Sequence, residues 1–165
     1  MNFETLLIDQ DKRGVVTLTL NRPEKRNALS AKMIDELTNF AVSLTSDIRI
    51  VIIQGAGSLF CAGGDLEWMN AQIKADRTTR ITAAKKLASM LKALNELPVP
   101  LIAKVHGAAY GGGVGLACVC DFVISCSNVK FGFTETRLGL IPSTIGPYVV
   151  GKMGEAKARE VFMSA

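Results

Sequence analysis

The chain has 165 residues, 48% of them hydrophobic and 21% charged, with a formal net charge of +4. That supplies enough apolar residue for a core in one domain over residues 1–165, and a disordered chain is excluded. No basic stripe interleaves with aromatics, which argues against nucleic-acid binding, and no apolar run is long enough to span a bilayer.

Residues 4–9 and 15–20 read as two strands joined by the turn Asp11-Lys12-Arg13-Gly14, a hairpin pattern. A polar loop with Pro and Asn punctuation follows over residues 21–27. Ser30 is placed to cap a helix whose Met33, Ile34, Leu37, Phe40, Ala41 and Leu44 share one face. Residues 48–54 read as a buried strand, ended by Gly55-Ala56-Gly57. A glycine turn comes next, and Asp65 stands where a helix would begin, so its carboxylate suits an N-cap. One long helix is predicted over residues 75–97, stopped by Pro98, with Ile81, Ala84, Ala88, Leu91 and Leu94 as its core stripe. Residues 100–105 form the next strand, followed by a second glycine turn and a tightly packed helix of small residues over 113–118. Strands at 122–125 and 129–133 come after it, then helices from Thr144 onward, clearest at 155–163. Alternating strands and helices predict an α/β fold with largely parallel pairing. The pattern breaks off inside a helical stretch with no stop signal, which predicts a portion of a longer protein.

The N-terminus, Met1-Asn2-Phe3-Glu4-Thr5, does not have the pattern of a signal peptide. Cys61, Cys118, Cys120 and Cys126 show no C-x-x-C pairing, and His106 is the lone histidine. Neither a metal site nor a disulfide framework is expected; reduced thiols in a cytoplasmic setting are.

The chemistry lies in the two glycine turns, Phe60-Cys61-Ala62-Gly63-Gly64-Asp65 and His106-Gly107-Ala108-Ala109-Tyr110-Gly111-Gly112-Gly113. Each follows an apolar strand and opens a helix, where backbone N–H groups are unpaired. One donor from each turn, aimed at one oxygen, makes an oxyanion hole able to polarise an acyl carbonyl and stabilise its enolate. Losing one such donor typically costs about 3–4 kcal/mol of transition-state stabilisation. A P-loop would need Gly-Lys-Ser/Thr, a dinucleotide fingerprint G-x-G-x-x-G, and a hydrolase elbow G-x-S-x-G; none is present.

Four stretches, in order, carry a resemblance: residues 21–29, 60–66, 107–121 and 131–142. On them the chain resembles the enoyl-CoA hydratase/isomerase (crotonase) superfamily. The resemblance implies a crotonase-like spiral of ββα units whose C-terminal helical region has no counterpart here. It implies an acyl-CoA thioester as substrate, with coenzyme A part of that substrate and no separate cofactor. The oxyanion-hole amides fall on Gly64 and Gly112. Ala62 falls where the backbone meets the adenine end of CoA, and Ala28, Gly63, Asp65, Leu66 and Gly111 fall on the same substrate-binding segments. Lys25 and Arg26 lie in the loop that passes near CoA, as phosphate contacts or as solvated surface charge. Asp121 matches a common family aspartate and reads as structural. The complete protein is expected to be a homotrimer or hexamer.

Family hydratases usually carry two glutamates. One place is held here by Gly115, which cannot transfer a proton; the other falls on Glu135, the expected general acid/base. One carboxylate suffices for hydration of a 2-enoyl-CoA and for isomerisation of a 3-enoyl-CoA. Gly115 and the run Ile141-Pro142-Ser143-Thr144-Ile145-Gly146-Pro147-Tyr148-Val149-Val150 resemble bacterial methylglutaconyl-CoA-type hydratases, which favours hydration. Isomerisation and a non-catalytic CoA-ester-binding fragment remain as alternatives.

Overall fold

The computed structural model describes residues 3–164; Met1, Asn2 and Ala165, at the ends of the predicted domain, lie outside the described residues. Strands β1 (Leu6–Gln10) and β2 (Val15–Leu20) form the expected antiparallel hairpin. β1 starts at Leu6, later than the pattern suggests. The Glu4 and Thr5 amides turn aside to donate to the buried Glu36 carboxylate on helix α1. Helix α1 (Ala31–Val42) begins where Ser30 Oγ accepts the Met33 N–H at 3.2 Å. Its predicted face is buried from Met33 to Ala41.

β3 (Ile50–Gly55), β4 (Leu101–Val105) and β6 (Phe122–Ser125) extend the sheet in the order β1-β2-β3-β4-β6, every pairing after the hairpin being parallel. Such pairing needs crossovers, and helices supply them. Between β3 and β4 lie two helices: one opens at the expected Asp65 cap, and the other fills most of the predicted 75–97 stretch. Helix α2 (Leu66–Lys74) ends at Ala75, and α3 (Arg77–Asn95) restarts at Asp76, whose carboxylate accepts the Thr79 N–H at 2.7 Å. The buried stripe of α3 is also rotated. Met90, Leu91 and Leu94 are buried and Leu87 packs against them, whereas Ile81, Ala84 and Ala88 are exposed.

A short strand, β5 (Ala108–Tyr110), lies inside the second glycine turn and pairs in parallel with β7 (Lys130–Gly132). No three-residue strand was legible there beneath the glycines. Helix α4 (Gly112–Cys118) follows, almost wholly buried, and α5 (Gly146–Met153) and α6 (Glu155–Ser164) pack onto it in succession. Asp121 is structural: its carboxylate accepts the Leu101 N–H at 2.8 Å and ties the end of α4 to the start of β4. Among the described residues no helix is long and apolar enough to cross a membrane. The mixed α/β architecture accords with the spiral of ββα units that the resemblance implies.

Candidate active site

The two glycine turns are joined by main-chain hydrogen bonds. Phe60 N–H donates to His106 O at 3.0 Å and to Ala108 O at 3.1 Å, and Tyr110 N–H donates to Cys61 O at 3.0 Å. The loop over residues 21–29 runs along the first turn from the other side. Ala62 N–H donates to Arg26 O, Leu29 N–H to Gly63 O and Asp65 N–H to Leu29 O. Asn27 pins that loop: buried, at φ +53°, its amide donates to Ala56 O and Leu59 O.

This bracing leaves two amides unused. Among the described residues neither the Gly64 N–H nor the Gly112 N–H donates to a protein acceptor. Gly112 is the first residue of α4, where no intrahelical acceptor exists. The turns approach so closely that a Cβ on Gly63 would stand 2.8 Å from Tyr110 O and 3.6 Å from Gly112 N. Gly63 itself sits at φ +94°, which a side chain would also resist. Its N–H goes to Cys61 Sγ and its C=O takes the Leu29 N–H, so Gly63 supports the turn and lines neither cavity described below.

Glu135 follows β7 and precedes a single 3-10 turn at Thr136–Leu138. Its carboxylate lies over the bare face of Gly111: a Cβ there would be 3.0 Å from Oε1 and 3.5 Å from Oε2. Gly111 contributes this clearance, since its own N–H is committed to Gly132 O and its C=O to the amides of α4. Oε2 is buried without a hydrogen-bond partner among the described residues. Burial raises the Glu135 carboxyl above the ordinary 4.5. Gly115, the second-glutamate position, faces away from any open space. A Cβ there would fall 2.3 Å from Ile145 Cγ2, so Ile145 occupies the room a second carboxylate would need.

Gly64, Gly112 and Glu135 line one cavity of about 160 Å³, whose walls also include Trp68, Met69 and Leu87. The hydroxyl-bearing Ser143 and Thr144 line the same space. A second cavity of about 370 Å³ meets the first at Gly64; Lys25, Arg26, Ala28, Ala62, Asp65 and Leu66 line it. The predicted substrate-binding residues other than Gly63 and Gly111 therefore share this one cleft. Their side chains are not equally available. Lys25 is held by Glu67, with Nζ 2.7 Å from Oε1. The Arg26 guanidinium has no ion pair among the described residues. The Asp65 carboxylate caps α2 by accepting from Glu67 N and Trp68 N, and pairs with Arg22 at 2.9 Å. Burial would raise the Asp65 carboxyl, but Arg22 and the two amides outweigh it and hold it below 3.8. Sequence reading did not single out Arg22, Asn27, Tyr110, Trp68 or Ser143. Their roles depend on where loops meet, and local pattern carries no signal of that.

The enoyl-CoA hydratase/isomerase family model matches residues 10–165. A protein named probable enoyl-CoA hydratase echA8, from Mycobacterium tuberculosis, is 37% identical over 99% of this chain and 63% of its own length. The mitochondrial methylglutaconyl-CoA hydratase of Mus musculus is 34% identical over 96% of this chain and 51% of its own. Among solved structures, an enoyl-CoA hydratase from Shewanella pealeana gives a TM-score of 0.95 at 34% identity, covering 99% of this chain and 62% of that one. Pseudomonas aeruginosa AtuE gives 0.93 at 38% identity, covering 98% and 63%. The chain thus spans between 50% and 63% of the length of the curated relatives it matches. A match running from residue 10 to residue 165, on a fold shared this closely, makes the chain a member of the enoyl-CoA hydratase/isomerase family.

Proposed function

We propose that this protein adds water to the double bond of a 2-enoyl-CoA thioester. The observation that carries the reading is one cavity holding two uncommitted amides, Gly64 and Gly112, and one buried, unpartnered carboxylate, Glu135. The amides polarise the thioester carbonyl and stabilise the enolate as it forms. Polarisation makes the β-carbon electrophilic. Glu135 orients a water and takes one of its protons while the oxygen bonds to the β-carbon; a proton then returns from Glu135 to the α-carbon. The cleft past Gly64, with Arg26 as its free cation, suits the CoA portion; no separate cofactor is required. Similarity to a methylglutaconyl-CoA hydratase supports 3-methylglutaconyl-CoA as one candidate substrate. Unpaired cysteines accord with a reducing compartment such as the cytoplasm, and a homotrimer or hexamer is the expected assembly of the complete protein.

Isomerisation is the second reading, favoured by Ile145 filling the space beside Gly115. There Glu135 would move a proton from the α- to the γ-carbon of a 3-enoyl-CoA, with no water consumed. Mass spectrometry of 2-enoyl- and 3-enoyl-CoA incubations separates the two. Hydration gives a product one water heavier, and Glu135→Gln lowers turnover by roughly 10²–10⁴-fold. An unchanged mass with a shifted double bond establishes the isomerase. Binding without turnover leaves a CoA-ester-binding chain.

A further inference from the structure

The two uncommitted amides are aimed by different means. In a trans peptide the C=O and the following N–H point in opposite directions, so whatever holds the carbonyl aims the amide. For Gly112 that carbonyl is Gly111 O, which accepts from Val114 N–H at 2.9 Å and from Gly115 N–H at 3.1 Å. The first turn of α4 thus holds its own donor.

For Gly64 the carbonyl is Gly63 O, and its partner comes from outside the turn. Leu29 N–H donates to it at 2.7 Å. At the other end of that same peptide, Ala28 O accepts from the Arg22 guanidinium, with Nη1 2.7 Å away. Nη1 also donates to Asp65 Oδ2 at 2.9 Å. Arg22 Nη1–H, Leu29 N–H and Gly64 N–H therefore stand in line, each donating toward the next peptide. Water is largely kept from this line: Ala28 and Leu29 are buried, and the Arg22 side chain is 17% exposed. Arg22 itself lines neither the Glu135 cavity nor the cleft beside it.

Resting on the reading of Gly64 as a donor to the thioester carbonyl, we propose that Arg22 is a positioning residue of the active site, aiming and polarising the Gly64 amide through the two intervening peptides. Hydrogen bonds in a chain strengthen one another, by about 10–30% per bond, and a charged donor makes the strongest head. As negative charge builds on the thioester oxygen, all the bonds of the line tighten together. The gain is therefore larger in the transition state than in the bound ester. Asp65 steadies the guanidinium and caps α2, but its own negative charge opposes the polarisation.

The test reads the carbonyl directly. Butyryl-CoA, isotopically labelled at the thioester carbonyl, has no double bond to hydrate or shift, so its infrared C=O frequency reports polarisation without turnover. On the parent protein the frequency drops on binding. Arg22→Gln removes the charge and keeps a donor, Arg22→Met removes both, and each returns the frequency toward the free-ester value, Met further than Gln. Arg22→Lys restores most of the drop. With an enoyl ester, kcat falls about tenfold in Arg22→Met while KM stays within about threefold. Asp65→Asn lowers the thermal midpoint and yet keeps or deepens the drop. A merely structural ion pair would make Asp65→Asn and Arg22→Met alike, so equal loss of the drop in both overturns the proposal. A full parent drop in folded Arg22→Met overturns it too. Where neither neutral variant folds, Asp65→Asn decides alone: a retained drop sustains the line of donors, and a lost one overturns it. The hydratase reading fails separately. An isomerase, or a chain that binds esters without turnover, still shows the Arg22-dependent drop, whereas no drop in the parent removes the carbonyl-polarising role of Gly64 itself.

Discussion

At the residue scale the reacting groups depend on what is left out. Gly111 has no side chain, and Glu135 occupies the space one would fill; Gly115 has none, and Ile145 occupies that space. Gly115→Ala should destabilise the fold by about 1–3 kcal/mol through overpacking, and Ile145→Ala added to it should recover part of the loss. Denaturant melts of the two variants check this, and an unchanged midpoint for Gly115→Ala alone would refute it. The same packing sets a pH dependence. Burial raises the Glu135 carboxyl above 4.5, and hydration needs it ionised, so the acidic limb of kcat/KM should rise with a midpoint above 4.5. The stability sign is opposite. A carboxyl whose folded value is raised favours the protonated fold, so its contribution is complete below 4.5 and is lost as pH climbs through the folded value. Glu135→Gln should therefore gain stability over the parent at neutral pH and match it in acid; a constant difference across both would contradict the burial argument. Sequence pattern alone made Glu135 no more than a loop carboxylate. The resemblance marked it, and the fold supplies its surroundings.

At the element scale, legibility followed how local the determining interaction is. The Ser30 and Asp65 caps are contacts within four residues, and both were readable. The start of α3 rests on a similar cap at Asp76, which the sequence reading did not single out although it placed that start within two residues, at Ala75. Leu91 and Leu94 of the α3 stripe are buried as read, but its N-terminal half was misplaced because alanines at 84 and 88 carry little burial signal, so two helical faces fit the pattern nearly equally there. Which face is buried depends on α1, a tertiary partner. The consequence is measurable: Leu91→Ala should cost about 2–5 kcal/mol, whereas Ile81→Ala, at an exposed position, should stay within about 0.5 kcal/mol. Equal losses in urea denaturation would restore the original stripe. β5 was hidden for another reason. Its three residues take their strand geometry from β7, whose paired residues lie 22 positions onward, and not from their own alternation.

At the scale of the whole molecule, the parallel sheet is covered unevenly. β2, β3 and β4 alternate buried residues, but all four residues of the edge strand β6 are exposed, with Phe122 at 63% and Ile124 at 62%. An unpaired apolar edge is a template for pairing with another chain. The chain should therefore self-associate with rising concentration, and Ile124→Lys should suppress this with little change in thermal midpoint. Sedimentation velocity over a concentration series tests it, and association undiminished by the lysine would put the contact elsewhere. Parallel pairing and family were legible from sequence; the sheet order and its bare edge were not, because residues 122–125 read simply as a strand.

The amides of Gly64 and Gly112 are set by bonds among Phe60, Cys61, His106, Ala108 and Tyr110 that use main-chain atoms alone. Side-chain drift in those turns leaves their spacing in place so long as the glycines stay bare. Carboxylates, by contrast, are one substitution from gain or loss. On the proposed reading, a lineage built on this scaffold exchanges one reaction for another by relocating its proton-carrying groups while inheriting the two uncommitted amides unchanged. The frame is heritable as backbone, and the reaction is the part free to evolve.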